Sequence, residues 1–201
     1  VLRRRGDLGP RKGTAADLLV VGLGNPGDEY THTRHNVGAD TVELLAKRHG
    51  ATLKKGKERA RADQVRIGDK LVALAVPLTY MNDSGAAVVA LARRYGVDPH
   101  QVVIVHDELD LPVAALKVKV GGGLAGHNGL RSVKSHLHSD DFVRVRIGVG
   151  KPVSKEHGAD HVLKRFSKRE RTEIDVTLEQ AADAVESIVR DGADVAMNRY
   201  N

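Results

Sequence analysis

Residues 62–105, ADQVRIGDKLVALAVPLTYMNDSGAAVVALARRYGVDPHQVVIV, decide the fold. Residues 62–67 and 71–76 are β-rich runs on either side of the turn-forming pair Gly68-Asp69, which predicts an antiparallel hairpin. Pro77 ends the second strand, a polar loop runs to Ser84, and alanine-rich residues 85–95 read as a helix stopped by Gly96. Residues 102–105 are a further apolar strand. A strand, a helix and a strand in that order predict a right-handed crossover between parallel strands. Toward the amino terminus, Leu18, Leu19, Val20 and Val21 form a continuous apolar run ended by glycine, as in a central strand buried on both faces. Val37, Val42, Leu44 and Leu45 mark an amphipathic helix over about 35–49.

Toward the carboxyl terminus, Leu116, Val118 and Val120 alternate with Lys117 and Lys119, and Val143, Val145, Ile147 and Val149 alternate with Arg144 and Arg146. Both segments read as half-buried strands with basic polar faces. GGGLAGHNG (121–129) opens a short helix through Leu137, residues 151–158 read as a mobile loop, and a stripe from Ile174 to Val189 marks a long helix over 168–190. The expectation is an α/β fold: a single domain over residues 18–201 with a central mixed, mostly parallel twisted sheet surrounded by helices.

Composition narrows the function. A chain of 201 residues with 41% hydrophobic residues can bury one sizeable core. No apolar run approaches the ~18 residues of a membrane span, and VLRRRGDLGPRKGTAAD lacks the apolar stretch of a secretory signal, so a cytoplasmic protein is expected. There are no cysteines, which removes disulfides, thiolate nucleophiles and thiolate metal sites together. The formal charge is +6, but five basic groups against Asp7 and Asp17 place half of that excess in residues 1–17, which read as a disordered basic tail. With aromatic residues at 3%, a stacking platform for unpaired bases is also disfavoured, so any nucleic acid must be gripped by basic side chains at its phosphates.

Gly22-Leu23-Gly24-Asn25-Pro26-Gly27 has the spacing of a dinucleotide-binding turn. Pro26 and the polar stretch after it delay the helix, however, and the next strand is committed to the hairpin, so a loop presenting the Asn25 amide is the better reading. His35 gains meaning from Asp107, which follows a central strand at its carboxyl end, where open α/β sheets build their crevices. Asn82 follows residues 71–76 and His127-Asn128 follow residues 115–120; if the strands are mostly parallel, these loops meet on one edge. Neither a GxSxG elbow nor an HExxH is present, so water is the expected nucleophile, with a neutral histidine as its base and an aspartate to orient the ring. Asparagine amides both donate and accept, and suit a neutral polar substrate such as an ester, an amide or a ribose. A metal held by His35, Asp107 and His127 is the alternative.

At these residues the sequence resembles bacterial peptidyl-tRNA hydrolases: GLGNPGDEYTHTRHNVG (22–38), PLTYMNDSG (77–85), HDELDLP (106–112), GGGLAGHNGLRS (121–132) and RVRIGVGKP (144–152) occur in the family's order. The resemblance implies a monomeric α/β enzyme, needing no metal or organic cofactor. Its activity would be cleavage of the ester between a nascent peptide and the 3′-terminal ribose of tRNA. Its substrate would be peptidyl-tRNA, met at the acceptor stem, the 3′ CCA end and the peptide, with no membrane partner. Carried over by position, His35 is the general base and Asp107 its orienting partner. Asn25, Tyr30, Met81, Asn82, His127 and Asn128 bind substrate, and Lys119 and Arg146 hold a tRNA phosphate. Two features depart from the pattern. Leu124 and Ala125 stand where the family often has His and Gly, and the basic tail has no counterpart. The rival expectation is a non-catalytic RNA-binding module on the same fold.

Overall fold

The computed structural model describes residues 15–124 and 126–201. The predicted tail therefore lies outside the described residues for 1–14. Its last three residues are tied to the domain: Ala15 O accepts from Gln64 Nε2, Ala16 N–H donates to Tyr95 O, and Asp17 N–H donates to Leu71 O while its carboxylate accepts from Leu71 N–H.

In chain order the elements are β1 (Leu18–Gly22), α1 (Val37–Arg48), β2 (Lys54–Lys55), β3 (Ala60–Ile67), β4 (Lys70–Pro77), α2 (Ser84–Tyr95), β5 (Val102–Glu108), β6 (Leu116–Val120), α3 (Asn128–Leu137), β7 (Val143–Gly148), α4 (Gly158–Leu163), α5 (Lys168–Asp191) and α6 (Ala193–Tyr200). The sheet order is β2-β3-β4-β1-β5-β7-β6. Its centre, β4-β1-β5-β7, is parallel; β3 joins β4 antiparallel through the predicted hairpin, and β6 joins β7 antiparallel at the other edge.

The apolar run of β1 divides between two cores, as a doubly covered strand requires. Val20 packs beneath α1 and α5 with Val42, Leu45, Val105 and Val185; Leu19 and Val21 pack beneath α2 and α3 with Val88, Leu91, Ile104 and Leu130. The helices thus form one layer on each face of the sheet.

Three expectations need correction. β7 is not half-exposed: it lies between β5 and β6, and Arg144 is 1% exposed. Residues 151–158 contain a 3-10 turn at Lys155–His157 and the start of α4. Because β6 is antiparallel to β7, its carboxyl end opens on the edge opposite to those of β1, β4 and β5, and His127 reaches their edge only through the glycine-rich connection that follows.

Two glycines seat α1 against the sheet. A Cβ on Gly38 would lie 2.1 Å from Val105 O, and one on Gly22 would lie 2.2 Å from Gly38 O. The first glycine of the dinucleotide-like motif therefore serves close packing, which places the amino end of α1 over the β1–β5 junction. Gly38→Ala is expected to cost about 3 kcal/mol or more through overpacking against backbone, lowering Tm by about 6–12 °C. Gly123→Ala, which meets nothing within 4 Å, is expected to stay within about 0.5 kcal/mol of wild type. Thermal denaturation of the two variants checks both.

Candidate active site

The loop 23–36 follows the carboxyl end of β1 beside that of β5, and the side chains gathered there form one connected system. His35, in a short 3-10 turn just before α1, donates from Nδ1 to Asp107 Oδ2 at 2.8 Å. Asp107 is 1% exposed, and its second oxygen, Oδ1, accepts from His127 Nε2 at 2.8 Å. His127 caps α3, its Nδ1 accepting from Leu130 N–H at 3.2 Å. A nitrogen that accepts a backbone N–H carries no proton, so His127 is the neutral Nε2–H tautomer with both nitrogens used inside the protein. His35 has one nitrogen left, Nε2, directed away from Asp107.

Electrostatics follow from this geometry. Burial opposes ionisation of Asp107, but the electrostatic pull of the His35 and His127 rings and the N–H groups they donate outweighs it and holds its carboxyl far below the usual carboxylate range. Burial also disfavours a charged His35; the Asp107 charge and hydrogen bond together outweigh it, leaving its pKa above 6.5. His106, wholly buried on the neighbouring position of β5, is pushed well below its ordinary value by burial, then by His127 and Arg144, and is neutral.

The ligand atoms of His35, Asp107 and His127 lie within 4.8 Å of one another, a spacing that would suit a metal ion. In this arrangement those atoms satisfy one another: the two imidazole N–H groups donate to separate oxygens of one carboxylate.

In front of His35 opens a cleft of about 350 Å³, lined by Asn25, Tyr30, Tyr80, Met81, Asn82 and Asn128, and walled by Ala159, Val162 and Leu163. The sequence-derived substrate residues thus converge on one opening, with Asp107 and His127 behind it. Asn25 is fixed on three sides: its N–H donates to Asn36 Oδ1 at 2.9 Å, its O accepts from Asn36 Nδ2 at 3.0 Å, and its Oδ1 accepts from Met81 N–H at 2.7 Å. The Nδ2 amide is the group left to face the cleft. Tyr30 and Tyr80 meet edge to face at 6.4 Å. A larger hollow of about 600 Å³ opens on the other side of the Asn25 loop, but its histidine, His32, stands 3.6 Å from Asp40, too far for a tight acid–base pair.

Lys119 and Arg146 sit outside the cleft, on β6 and β7. The register pairs Lys119 with Arg144 and Lys117 with Arg146, so Lys119 and Arg146 are diagonal neighbours on one face. Arg146 is held by Glu108, its Nε and Nη2 lying 3.0 and 2.9 Å from Oε1, while Lys119 is exposed.

Several contributors escaped the sequence reading. Asn36 locks the Asn25 loop. Arg34 donates to the carbonyls of His161 and Lys164 and to Glu170, binding α4 to the segment that bears His35. Asn36 and Arg34 both flank His35, and that adjacency was the available signal. The α4 wall gave none, because Ala159, Val162 and Leu163 show no periodic run of useful length.

Comparison with known proteins agrees with this geometry. A family model described as peptidyl-tRNA hydrolase matches residues 19–201. A peptidyl-tRNA hydrolase of Nocardia farcinica (strain IFM 10152) is 50% identical over 195 residues, covering 96% of this chain and 99% of its own. One of Arthrobacter sp. (strain FB24) is 48% identical over 185 residues, covering 91% and 95%. The crystal structure of peptidyl-tRNA hydrolase from Acinetobacter baumannii superposes with a TM-score of 0.88 at 40% identity, covering 96% of this chain and 97% of that one. With the match running through β1 to the carboxyl terminus, the chain belongs to the peptidyl-tRNA hydrolase family.

Proposed function

We propose that the chain hydrolyses peptidyl-tRNA, releasing the peptide and a free tRNA that can be charged again. The observation that carries the reading is the His35–Asp107 hydrogen bond of 2.8 Å at the head of an asparagine-lined cleft. His35 Nε2 takes a proton from water as the water oxygen attacks the ester carbonyl, a role worth about 10²–10⁴-fold. Asp107 fixes the ring's tautomer and stabilises the imidazolium. Collapse of the tetrahedral adduct breaks the bond to the ribose oxygen, which receives the proton from His35. The peptide leaves as a carboxylic acid.

The Asn25 amide, with Asn82 and Asn128 beside it, binds the peptide and the terminal adenosine, and Met81 and Tyr30 give the cleft its apolar wall. An amide at the first peptide bond satisfies an asparagine in a way a charged α-amino group does not, which favours peptidyl over aminoacyl esters. His127 braces Asp107 from the second side, since both of its ring nitrogens are engaged. Lys119 and Arg146 meet a tRNA phosphate. All these groups come from one chain, so a monomer acting in the cytoplasm suffices.

Incubation with an N-acetylated aminoacyl-tRNA tests the reading: free tRNA is expected, and a folded, tRNA-binding protein that releases none would be a binding module instead. Lys119→Ala and Arg146→Ala are each expected to weaken tRNA binding and to flatten the log–log salt slope by about 0.7–0.9, one phosphate contact. Fluorescence titration at several salt concentrations reads this out. An unchanged slope would remove these residues from the RNA contact.

A further inference from the structure

We propose that Arg144 is a positioning residue for the His35–Asp107–His127 system, holding the glycine-rich loop that delivers His127 and, through His106, the peptide of Asp107. The proposal rests on the reading of His35 as the base and extends it to a side chain outside the cleft.

Arg144 heads the largest side chains that the fold buries completely. Its donors spread over four partners. Nη1 donates to Gly123 O at 2.5 Å and, more weakly, lies 3.5 Å from Gly121 O. Nε lies 3.4 Å from His106 Nε2, and Nη2 lies 3.7 Å from Glu108 Oε1. Arginine has only donors, so His106 Nε2 must be the acceptor. The remaining ring proton of His106 is then on Nδ1, which donates to Asp107 O at 2.8 Å. A guanidinium therefore sets the tautomer of His106, and His106 fixes the backbone of the catalytic aspartate.

Among the described residues, the loop's other ties are Gly121 N–H to Phe142 O at 3.3 Å, His127 N–H to Leu124 O at 2.9 Å, and the packing of Leu124 against the apolar core. Gly121, Gly122 and Gly126 have φ of 63°, 91° and 72°, a region that glycine enters freely, and Cβ atoms on Gly123 and Gly126 would meet nothing within 4 Å. Backbone of this kind keeps one shape only if its carbonyls are bound, and Arg144 binds two of them. The loop ends at His127, whose ring centroid is 5.2 Å from those of both His35 and His106.

Stability alone is a poor account of this arginine. Burying its charge costs several kcal/mol, and buried ion pairs are often replaced by apolar residues without loss. What an apolar residue cannot replace is the direction of the donors. Glu108 does not depend on Arg144 for neutralisation, because Arg146 already contacts it at 2.9 and 3.0 Å.

Arg144→Lys and Arg144→Met separate direction from charge and volume. Lysine keeps the cation but has no fork, and methionine keeps the length without donors. Both variants are expected to fold, to bind tRNA as wild type does, and to lose about 10–100-fold in kcat with KM within about threefold, the scale of a small misplacement of reacting groups. The acid limb of kcat should also move to lower pH as Asp107 loosens its hold on His35. In ¹H–¹⁵N spectra of the imidazoles, the protected His127 Nε2–H signal should exchange faster in both variants. An unchanged His127 signal with unchanged kcat would overturn the proposal. So would a loss of activity that only tracks a loss of folded protein, with acid limb and signal unmoved. If the wild type cleaves no ester, the functional reading falls by itself, and the imidazole signals still decide whether Arg144 holds these rings.

Discussion

His35→Ala is expected to lower kcat/KM for an N-acetylated aminoacyl-tRNA by about 10²–10⁴-fold while tRNA affinity changes by less than about twofold. The loss is confined to the chemical step because affinity comes mainly from phosphate contacts, and the phosphate-binding candidates lie on β6 and β7, away from the cleft. The same residue sets the pH dependence. A general base must be unprotonated, and the Asp107 carboxylate outweighs burial to raise the pKa of His35, so the acid limb of wild-type kcat/KM should lie above pH 6.5. A group with a raised folded pKa stabilises the fold below its unfolded pKa, and that contribution is lost as pH rises through the folded value. Stability and activity therefore respond to His35 in opposite directions near neutrality. A pH–rate profile, with urea denaturation over the same range, measures both.

Asp107→Asn should be as damaging, by about 10³–10⁴-fold in kcat, although it changes one atom type. Both carboxylate oxygens accept imidazole N–H groups, whereas an asparagine offers one acceptor and one donor. One ring must change its tautomer. His127 resists, because its Nδ1 is held by Leu130 N–H, so the burden falls on His35, whose Nε2 would then carry a proton and be unable to take one from water. Burial then acts on His35 without the carboxylate and moves the acid limb of the residual activity below 6.5. Because the pKa of Asp107 is depressed, its ionisation stabilises the wild type above the unfolded value of ~3.9, and that contribution is lost as pH falls through the folded pKa. The stability gap between wild type and variant should accordingly be largest at neutral pH and narrow in strong acid.

Much of this was legible in the sequence because it depended on local pattern. The hairpin at Gly68-Asp69, the crossover through α2 and the doubly buried β1 each follow from the periodicity and turn chemistry of consecutive segments, and the sheet bears them out. The meeting of His35 with Asp107 was legible because parallel topology sends both to one edge. His127 arrives at that edge by a different route from the one expected. Strand alternation is silent about direction, and β6 runs antiparallel, so only the length of the glycine-rich connection lets the chain return. Arg144 failed for a related reason: alternation separates two faces of a strand but does not say which faces are covered. At Arg144 the basic face of β7 is covered by the glycine-rich loop, and a charge that read as solvated is a wholly buried tie. The α4 wall and the short α6 carry too few apolar residues to stand out before tertiary packing defines them.

The central claim is that a neutral His35, oriented by Asp107, activates water without help from a metal ion. Its most direct test is release of free tRNA from an N-acetylated aminoacyl-tRNA under single-turnover conditions, comparing wild type, wild type dialysed against chelator, and His35→Ala. The account predicts equal rates for the two wild-type samples and loss of at least about 100-fold in the variant. Activity that disappears in chelator and returns with added metal, or a His35→Ala rate close to wild type, would contradict it.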